Sequence, residues 1–124
     1  MPQRKLVSVV DDDESVRESL PDFLRSFGHE VLPFASADEF LRCAEDLDRT
    51  GCLILDDAMP GMSGLELQLE LARRDRNIPI VFITACPNGA FSRQVLTRGA
   101  VACLSKPFSE CALLDAVTAA LGRR

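Results

Sequence analysis

Residues 52–72, CLILDDAMPGMSGLELQLELA, read as a strand, a loop and a helix in succession. CLILD (52–56) is a short apolar run typical of a buried strand. The leucines at 65, 67, 69 and 71 then fill the next segment. Between the two, Ser63 and Glu66 form an S-x-x-E box, whose hydroxyl and carboxylate can satisfy free backbone amides at a helix start. A buried strand followed by a capped helix indicates the repeating unit of an α/β fold.

The same alternation continues along the chain. The other apolar runs that predict strands are LVSVV (6–10), EVLPF (30–34), IVFIT (80–84) and VACLS (101–105). Apolar residues recur at helical spacing from Val16 to Phe27 and from Phe40 to Leu47, and further helices fit residues 88–98 and 109–121. Continuously apolar strands separated by helices predict a five-stranded parallel sheet covered on both faces. The fold class is therefore a doubly wound (βα)5 α/β domain.

Composition excludes several classes of function. The chain has 124 residues, of which 47% are hydrophobic, and no apolar run is long enough to cross a membrane. Five cysteines form no C-x-x-C pair and only one histidine is present, which argues against a structural zinc site. The net charge of −5, with dispersed basic residues, argues against direct nucleic-acid binding. No signal peptide is evident, so the expected location is the cytoplasm.

Polar residues follow four of the predicted strands. They are Asp11 and Asp12 after the first, Asp56 and Asp57 after the third, Thr84 at the end of the fourth and Lys106 after the fifth. In an open parallel sheet, ligands bind outside the carboxyl ends of the strands, where the strand order reverses. These side chains should therefore meet at one edge of the sheet.

Adjacent carboxylates repel one another, so the run Asp11 to Asp13 favours a bound cation. Asp12 and Asp56 can ligate Mg²⁺ directly and Asp11 through a water, since Mg²⁺ prefers oxygen ligands and retains waters. A neighbouring carboxylate could then attack phosphorus and become an acyl phosphate. The ammonium of Lys106 would stabilise the transferred charge, and Thr84 would hydrogen-bond the phosphoryl group.

The segments VVDDDES, LILDDAMPGMSG, FITA and CLSKPF, in this order, resemble the motifs of response-regulator receiver domains. The resemblance covers almost the whole chain and implies a CheY-like sheet of strand order 2-1-3-4-5. The family's D-x-x-M-P motif places the phospho-acceptor at Asp56 and not at Asp57. The resemblance further implies Mg²⁺ or Mn²⁺ on Asp11, Asp12, Asp56 and the backbone carbonyl of Ala58, with Thr84 and Lys106 as the switch residues. It also suggests a cis peptide bond between Lys106 and Pro107.

VRESL, FASADEFL and KPF resemble the FixJ-type branch, whose members usually end in a DNA-binding helix-turn-helix. No such segment is seen, so residues 1–124 are expected to form a single receiver domain without an output domain. The resemblance implies phosphorylation by a histidine kinase or phosphotransfer protein, without independent substrate turnover. The face of the fourth helix, fifth strand and fifth helix would signal to an effector or a missing output domain. The resemblance to the FixJ-type branch also suggests a phosphorylation-dependent homodimer.

Three positions depart from the family pattern. Cys103 stands where a tyrosine or phenylalanine usually reports phosphorylation, and Ala58 and Cys86 offer little to orient a hydrolytic water. Autodephosphorylation should therefore be slow for a receiver. Two alternatives stay open. One is a pseudo-receiver that binds partners without phosphorylation. The other is a haloacid-dehalogenase-like phosphohydrolase, since Asp11 to Asp13 superficially match D-x-D, although Ser15 stands where that motif needs threonine or valine.

Overall fold

A computed structural model of the protein describes residues 5–85 and 89–122. Strands and helices alternate within these residues. They are β1 (Leu6–Val10), α1 (Glu14–Arg25), β2 (Glu30–Phe34), α2 (Ala37–Arg42), α3 (Ala44–Arg49), β3 (Thr50–Asp56), α4 (Gly64–Arg73), β4 (Ile80–Thr84), α5 (Gly89–Thr97), β5 (Ala102–Ser105) and α6 (Glu110–Leu121). Each predicted strand is present, with ends that differ by at most two residues from the apolar runs.

The five strands form one parallel sheet of order β2-β1-β3-β4-β5, which confirms the predicted fold class. The strand order reverses at β1, so the carboxyl ends of β1 and β3 lie side by side. Val10 pairs with Leu55 across these two strands. Asp56 pairs with Ile83 on β4, and Thr84 pairs with Ser105 on β5. The residues that follow these strands therefore share one edge of the sheet.

Both faces of the sheet are covered, which explains why the strands are apolar without alternation. On one face, α1 and α6 pack on Val7, Val9, Cys52, Ile54, Val81 and Ile83. On the other face, the core cluster joins strand residues such as Leu53, Leu55 and Phe82 to apolar side chains of α2, α3, α4 and α5. Alternate residues of each central strand thus enter opposite cores.

Side chains cap several helix starts. Ser63 and Glu66 form the complete capping box that the sequence predicts, since each side chain bonds the other residue's backbone amide. Ser36 accepts a hydrogen bond from the amide of Glu39 at the start of α2. Asp13 caps α1 by accepting from the amide of Ser15, so it serves the helix start.

The second helical segment differs from the sequence expectation, because the pattern from Phe40 to Leu47 is broken at Cys43. Cys43 has φ −96° and ψ 74°, outside the helical region, and it separates α2 from α3. Its amide donates to the carbonyl of Phe40, which closes α2, while its own carbonyl accepts from Leu47 and opens α3. The chain therefore makes two short helices in place of one.

β3 begins at Thr50, two residues before the apolar run, because Thr50 is held by buried hydrogen bonds. Its hydroxyl lies 2.7 Å from that of Ser8 on β1 and donates to the carbonyl of Asp46 at 2.6 Å. Since the Thr50 proton goes to Asp46, Ser8 donates to Thr50. Both residues are fully buried, so this pair is a polar link inside an otherwise apolar sheet.

Among the described residues, no helix is both long and apolar enough to span a bilayer.

Candidate functional site

The three acidic residues predicted to hold a metal come together at the carboxyl edge of the sheet. Asp11 and Asp12 follow β1, and Asp56 ends β3. Each offers a carboxylate oxygen, and these oxygens lie within 4.8 Å of one another. Asp11 and Asp56 are buried, whereas Asp12 is exposed. Two of the carboxylates thus face each other inside the protein, and the third opens the cluster to solvent.

Asp11 is held from three sides. One of its carboxylate oxygens accepts from the amide of Asp13 at 2.9 Å, and the other accepts from Nζ of Lys106 at 3.2 Å. Its backbone carbonyl accepts from Nη1 of Arg17 at 2.8 Å. The sequence reasoning gave Arg17 no role. Its place in the first turn of α1, which starts directly behind the acidic run, was the one available signal.

Burial and neighbouring negative charge disfavour ionisation of the Asp56 carboxyl. Burial, followed by the negative charge of Asp11, raises its pKa to about 7, with a smaller raising contribution from Asp57. The ammonium of Lys106, 3.9 Å from Oδ1 of Asp56, and a hydrogen bond from the backbone of Ala58 act in the opposite direction. A divalent cation with oxygen ligands would relieve this repulsion, so the donor set fits Mg²⁺ or Mn²⁺. The Ala58 carbonyl as a ligand stays a prediction.

Lys106 reaches the acidic cluster from β5. Its peptide bond to Pro107 is cis, as the family resemblance suggests. Its backbone amide donates to the carbonyl of Thr84 at 2.7 Å, which fixes the chain between β4 and the lysine. The side chain is 23% exposed, so the ammonium is partly withdrawn from water. This position lets one cation contact Asp11 and lie close to Asp56.

Thr84 ends β4 and is 1% exposed, but its hydroxyl donates to Asp57 and not to Asp56. The distance from Oγ1 of Thr84 to Oδ2 of Asp57 is 3.2 Å. The register explains the pairing, because Asp56 is opposite Ile83 and the following two residues are then neighbours. The sequence reasoning gave Asp57 no catalytic role and did not expect this contact. It joins residues that are far apart in the chain, and only the strand register could have indicated it.

Gly64, the first residue of α4, packs on the backbone that carries Asp56. A Cβ atom at Gly64 would lie 2.4 Å from the Asp56 carbonyl oxygen and 3.0 Å from Cα of Asp57. The amide of Gly64 also donates to the carbonyl of Asp57 at 3.1 Å. The start of α4 therefore fixes the loop after β3, and only glycine leaves room for this approach.

Cys103 lies on β5 and is half-buried against the core cluster that contains Phe82, against which Phe91 also packs. The two phenylalanine rings meet edge to face, with centroids 5.7 Å apart. An aromatic pair on this side of the sheet is thus supplied by β4 and α5 and not by residue 103. Cys86, the other unusual residue predicted near the site, lies outside the described residues.

The sequence and the fold of this chain are both similar to those of known proteins. The family described as "Response regulator receiver domain" matches residues 7–118. Nodulation protein W of Bradyrhizobium diazoefficiens is 48% identical over 120 residues, which cover 97% of this chain and 52% of that protein. The transcriptional regulatory protein FixJ of Azorhizobium caulinodans is 42% identical over 123 residues, 99% of this chain and 58% of that protein. The chain thus spans little more than half the length of these two relatives. The crystal structure of FixJ-N superposes with a TM-score of 0.88 at 34% identity, covering 98% of this chain and 97% of that one.

Proposed function

This chain belongs to the response regulator receiver family, and on that premise we propose that it accepts a phosphoryl group on Asp56. The donor is a histidine kinase or a phosphotransfer protein in the cytoplasm. The observation that carries the proposal is the convergence of Asp11, Asp12 and Asp56 with the ammonium of Lys106. Among residues 5–85 and 89–122, this is the one group of three or more such side chains placed so that it could hold a metal ion, and Lys106 contacts two of its members.

In the transfer step, a carboxylate oxygen of Asp56 forms a bond to phosphorus while the bond between phosphorus and the donor's imidazole nitrogen breaks. The product is an acyl phosphate, and the electron pair of the broken bond stays on the imidazole. Asp56 must be ionised to attack. Because its pKa is raised to about 7, the carboxyl is partly protonated near neutral pH until positive charge is brought to the site.

Asp11, Asp12 and Asp56, together with the backbone carbonyl of Ala58, would hold Mg²⁺ or Mn²⁺. When bound, the cation supplies positive charge that keeps Asp56 ionised and stabilises the charge of the transferring group. Lys106 keeps Asp11 oriented through its 3.2 Å contact and places its ammonium beside Asp56. After transfer, the same ammonium and the Thr84 hydroxyl would bind the phosphoryl oxygens.

The signal would then leave through the face formed by α5, β5 and α6. Thr84 is the last residue of β4, and Lys106 directly follows β5. A shift of either side chain would therefore act directly on the end of its strand. We propose that residues 1–124 act as one receiver domain. It reports to an effector protein or to an output domain elsewhere in the protein, and phosphorylation favours a homodimer through α5 and β5. The receiver assists its own phosphorylation and dephosphorylation without turning over another substrate.

The proposal is tested with acetyl phosphate and Mg²⁺, followed by intact mass and peptide mapping. Wild type and Asp57→Asn should each gain one phosphoryl group, and Asp56→Asn should gain none. Chelation of the metal with EDTA should abolish the gain. A stable mass gain in Asp56→Asn, or a modified peptide that maps to Asp57, would contradict the assignment.

A further inference from the structure

We propose that Asp57 is a positioning residue that holds the Thr84 hydroxyl in the unphosphorylated protein and so opposes the phosphorylated state. The inference rests on the proposed function of Asp56. It assigns a role to a carboxylate that neither binds the predicted metal nor accepts the phosphoryl group. Thr84 would have to release Asp57 before its hydroxyl could donate to a phosphoryl oxygen on Asp56.

The hydrogen bond itself supports this role. A hydroxyl has a single proton to donate, and Thr84 donates it to Oδ2 of Asp57. Thr84 is 1% exposed, so its hydroxyl cannot readily exchange this acceptor for bulk water. The distance of 3.2 Å is longer than the usual 2.7–2.8 Å for a bond between two oxygens. The contact is therefore weak enough to be broken by a stronger acceptor.

The backbone of Asp57 is held in place and would not move with Thr84 if the hydroxyl turns towards Asp56. The amide of Gly64 donates to the Asp57 carbonyl at 3.1 Å, and a Cβ at Gly64 would lie 3.0 Å from Cα of Asp57. The backbone of Asp57 is thus fixed against the start of α4. A phosphoryl group on Asp56 would consequently break the contact and not carry it along.

Asp57 could also act in a second way, because its negative charge would repel a phosphoryl group even without the hydrogen bond. The two effects can be separated with a double-mutant cycle on Asp57 and Thr84. Asp57→Ala removes the acceptor and the charge together, while Thr84→Val removes the hydroxyl and keeps the shape of the side chain. Only the hydrogen bond makes the effect of the first substitution depend on the second.

The readout is the dissociation constant of beryllium fluoride, a stable mimic of the phosphoryl group, measured with saturating Mg²⁺ by calorimetry. Asp57→Ala should bind it about fivefold more tightly than wild type, the factor expected from one net hydrogen bond. In the Thr84→Val background, the same substitution should change the constant by less than about twofold. Asp75→Asn, a loss of charge at the far end of α4, is the matched control and should bind like wild type.

An equal gain from Asp57→Ala in both backgrounds would overturn the inference, because the charge alone would then account for it. If Asp57→Ala gives no gain in affinity when Thr84 is retained, the inference is overturned as well. If Asp57→Ala does not fold, Asp57→Val replaces it under the same criteria. Wild type that binds no beryllium fluoride, or Asp56→Asn that binds it equally well, would overturn the proposed function and this inference with it.

Discussion

Gly64→Ala should damage both the stability of the protein and its phosphorylation, because the added methyl group meets backbone and not a movable side chain. The new Cβ would lie 2.4 Å from the carbonyl oxygen of Asp56, far inside van der Waals contact. Either α4 or the strand end that carries Asp56 must move by most of an ångström. Both are held in place, since α4 contributes Leu67 and Leu71 to the core and β3 is buried along its whole length.

The magnitude follows from two opposing contributions. Forcing an extra methyl group into a packed position costs about 1–3 kcal/mol. Replacing glycine by alanine returns about 0.4–1 kcal/mol, because the unfolded chain has fewer conformations to lose. The net loss in the free energy of unfolding is then about 1–2 kcal/mol. For a chain of this size, that corresponds to a Tm lower by roughly 4–8 °C.

Gly89→Ala is the matched control. Gly89 is the first described residue of α5, as Gly64 is the first residue of α4, but among the described residues its Cβ would meet only the flexible end of Arg93, at 3.4 Å. This variant should be as stable as wild type or slightly more stable. Urea unfolding would measure both, and acetyl phosphate labelling would show whether Asp56 is displaced. If Gly64→Ala matches Gly89→Ala in stability and in labelling rate, the close packing of α4 on the site does not constrain Asp56.

Further expectations concern charge at the site. Asp56 has a pKa of about 7 in the folded protein, against 3.8 for the free side chain. The folded state therefore binds this proton more tightly than the unfolded chain does. The free energy of unfolding should fall as the pH rises from about 4 to about 7 and then stay at the lower value. In EDTA, the stability advantage of Asp56→Asn over wild type should therefore grow by on the order of 2 kcal/mol between pH 5 and pH 8, and a constant difference in urea unfolding would refute this. Lys106→Ala removes a cation that lowers the Asp56 pKa, so the pH midpoint of Mg²⁺ binding, followed by calorimetry, should move upward; an unchanged midpoint would count against the contact. Asp12→Asn should weaken Mg²⁺ binding by more than about tenfold, and unchanged affinity would exclude Asp12 as a ligand. Ala58→Asn should shorten the phosphoryl lifetime, because an exposed amide at this position can orient a water; equal decay of the labelled protein would show that residue 58 does not limit hydrolysis.

The strands and the acidic cluster could be predicted because their signals are local. An apolar run such as IVFIT (80–84) needs no partner to be recognised, and the rule for parallel sheets then brings the residues behind each run together. The break at Cys43 could not be predicted in this way, since cysteine carries no strong preference against helix. The early start of β3 depends on a hydrogen bond from Ser8 to Thr50, and these residues are 42 positions apart.

The partner of Thr84 shows the same limit within the site. The sequence places Thr84 and Asp56 at one edge of the sheet, but which carboxylate receives the hydroxyl depends on the register between β3 and β4. That register depends on core packing along both strands, so it cannot be predicted from the residues next to Asp57 in the sequence. Family resemblance points to Asp56, and the fold of this particular chain adds Asp57.

The buried link between Ser8 and Thr50 bears on how faithfully the chain folds. The two hydroxyls pair only when β1 and β3 are aligned as observed, and any slip would leave both in an apolar interior. A slip of one residue would also displace the ends of the strands by about 3.3 Å and turn every side chain to the other face. Asp56 would then no longer stand beside Asp11. The hydrogen bond between Ser8 and Thr50 thus favours the one alignment of β1 and β3 that places Asp11 beside Asp56.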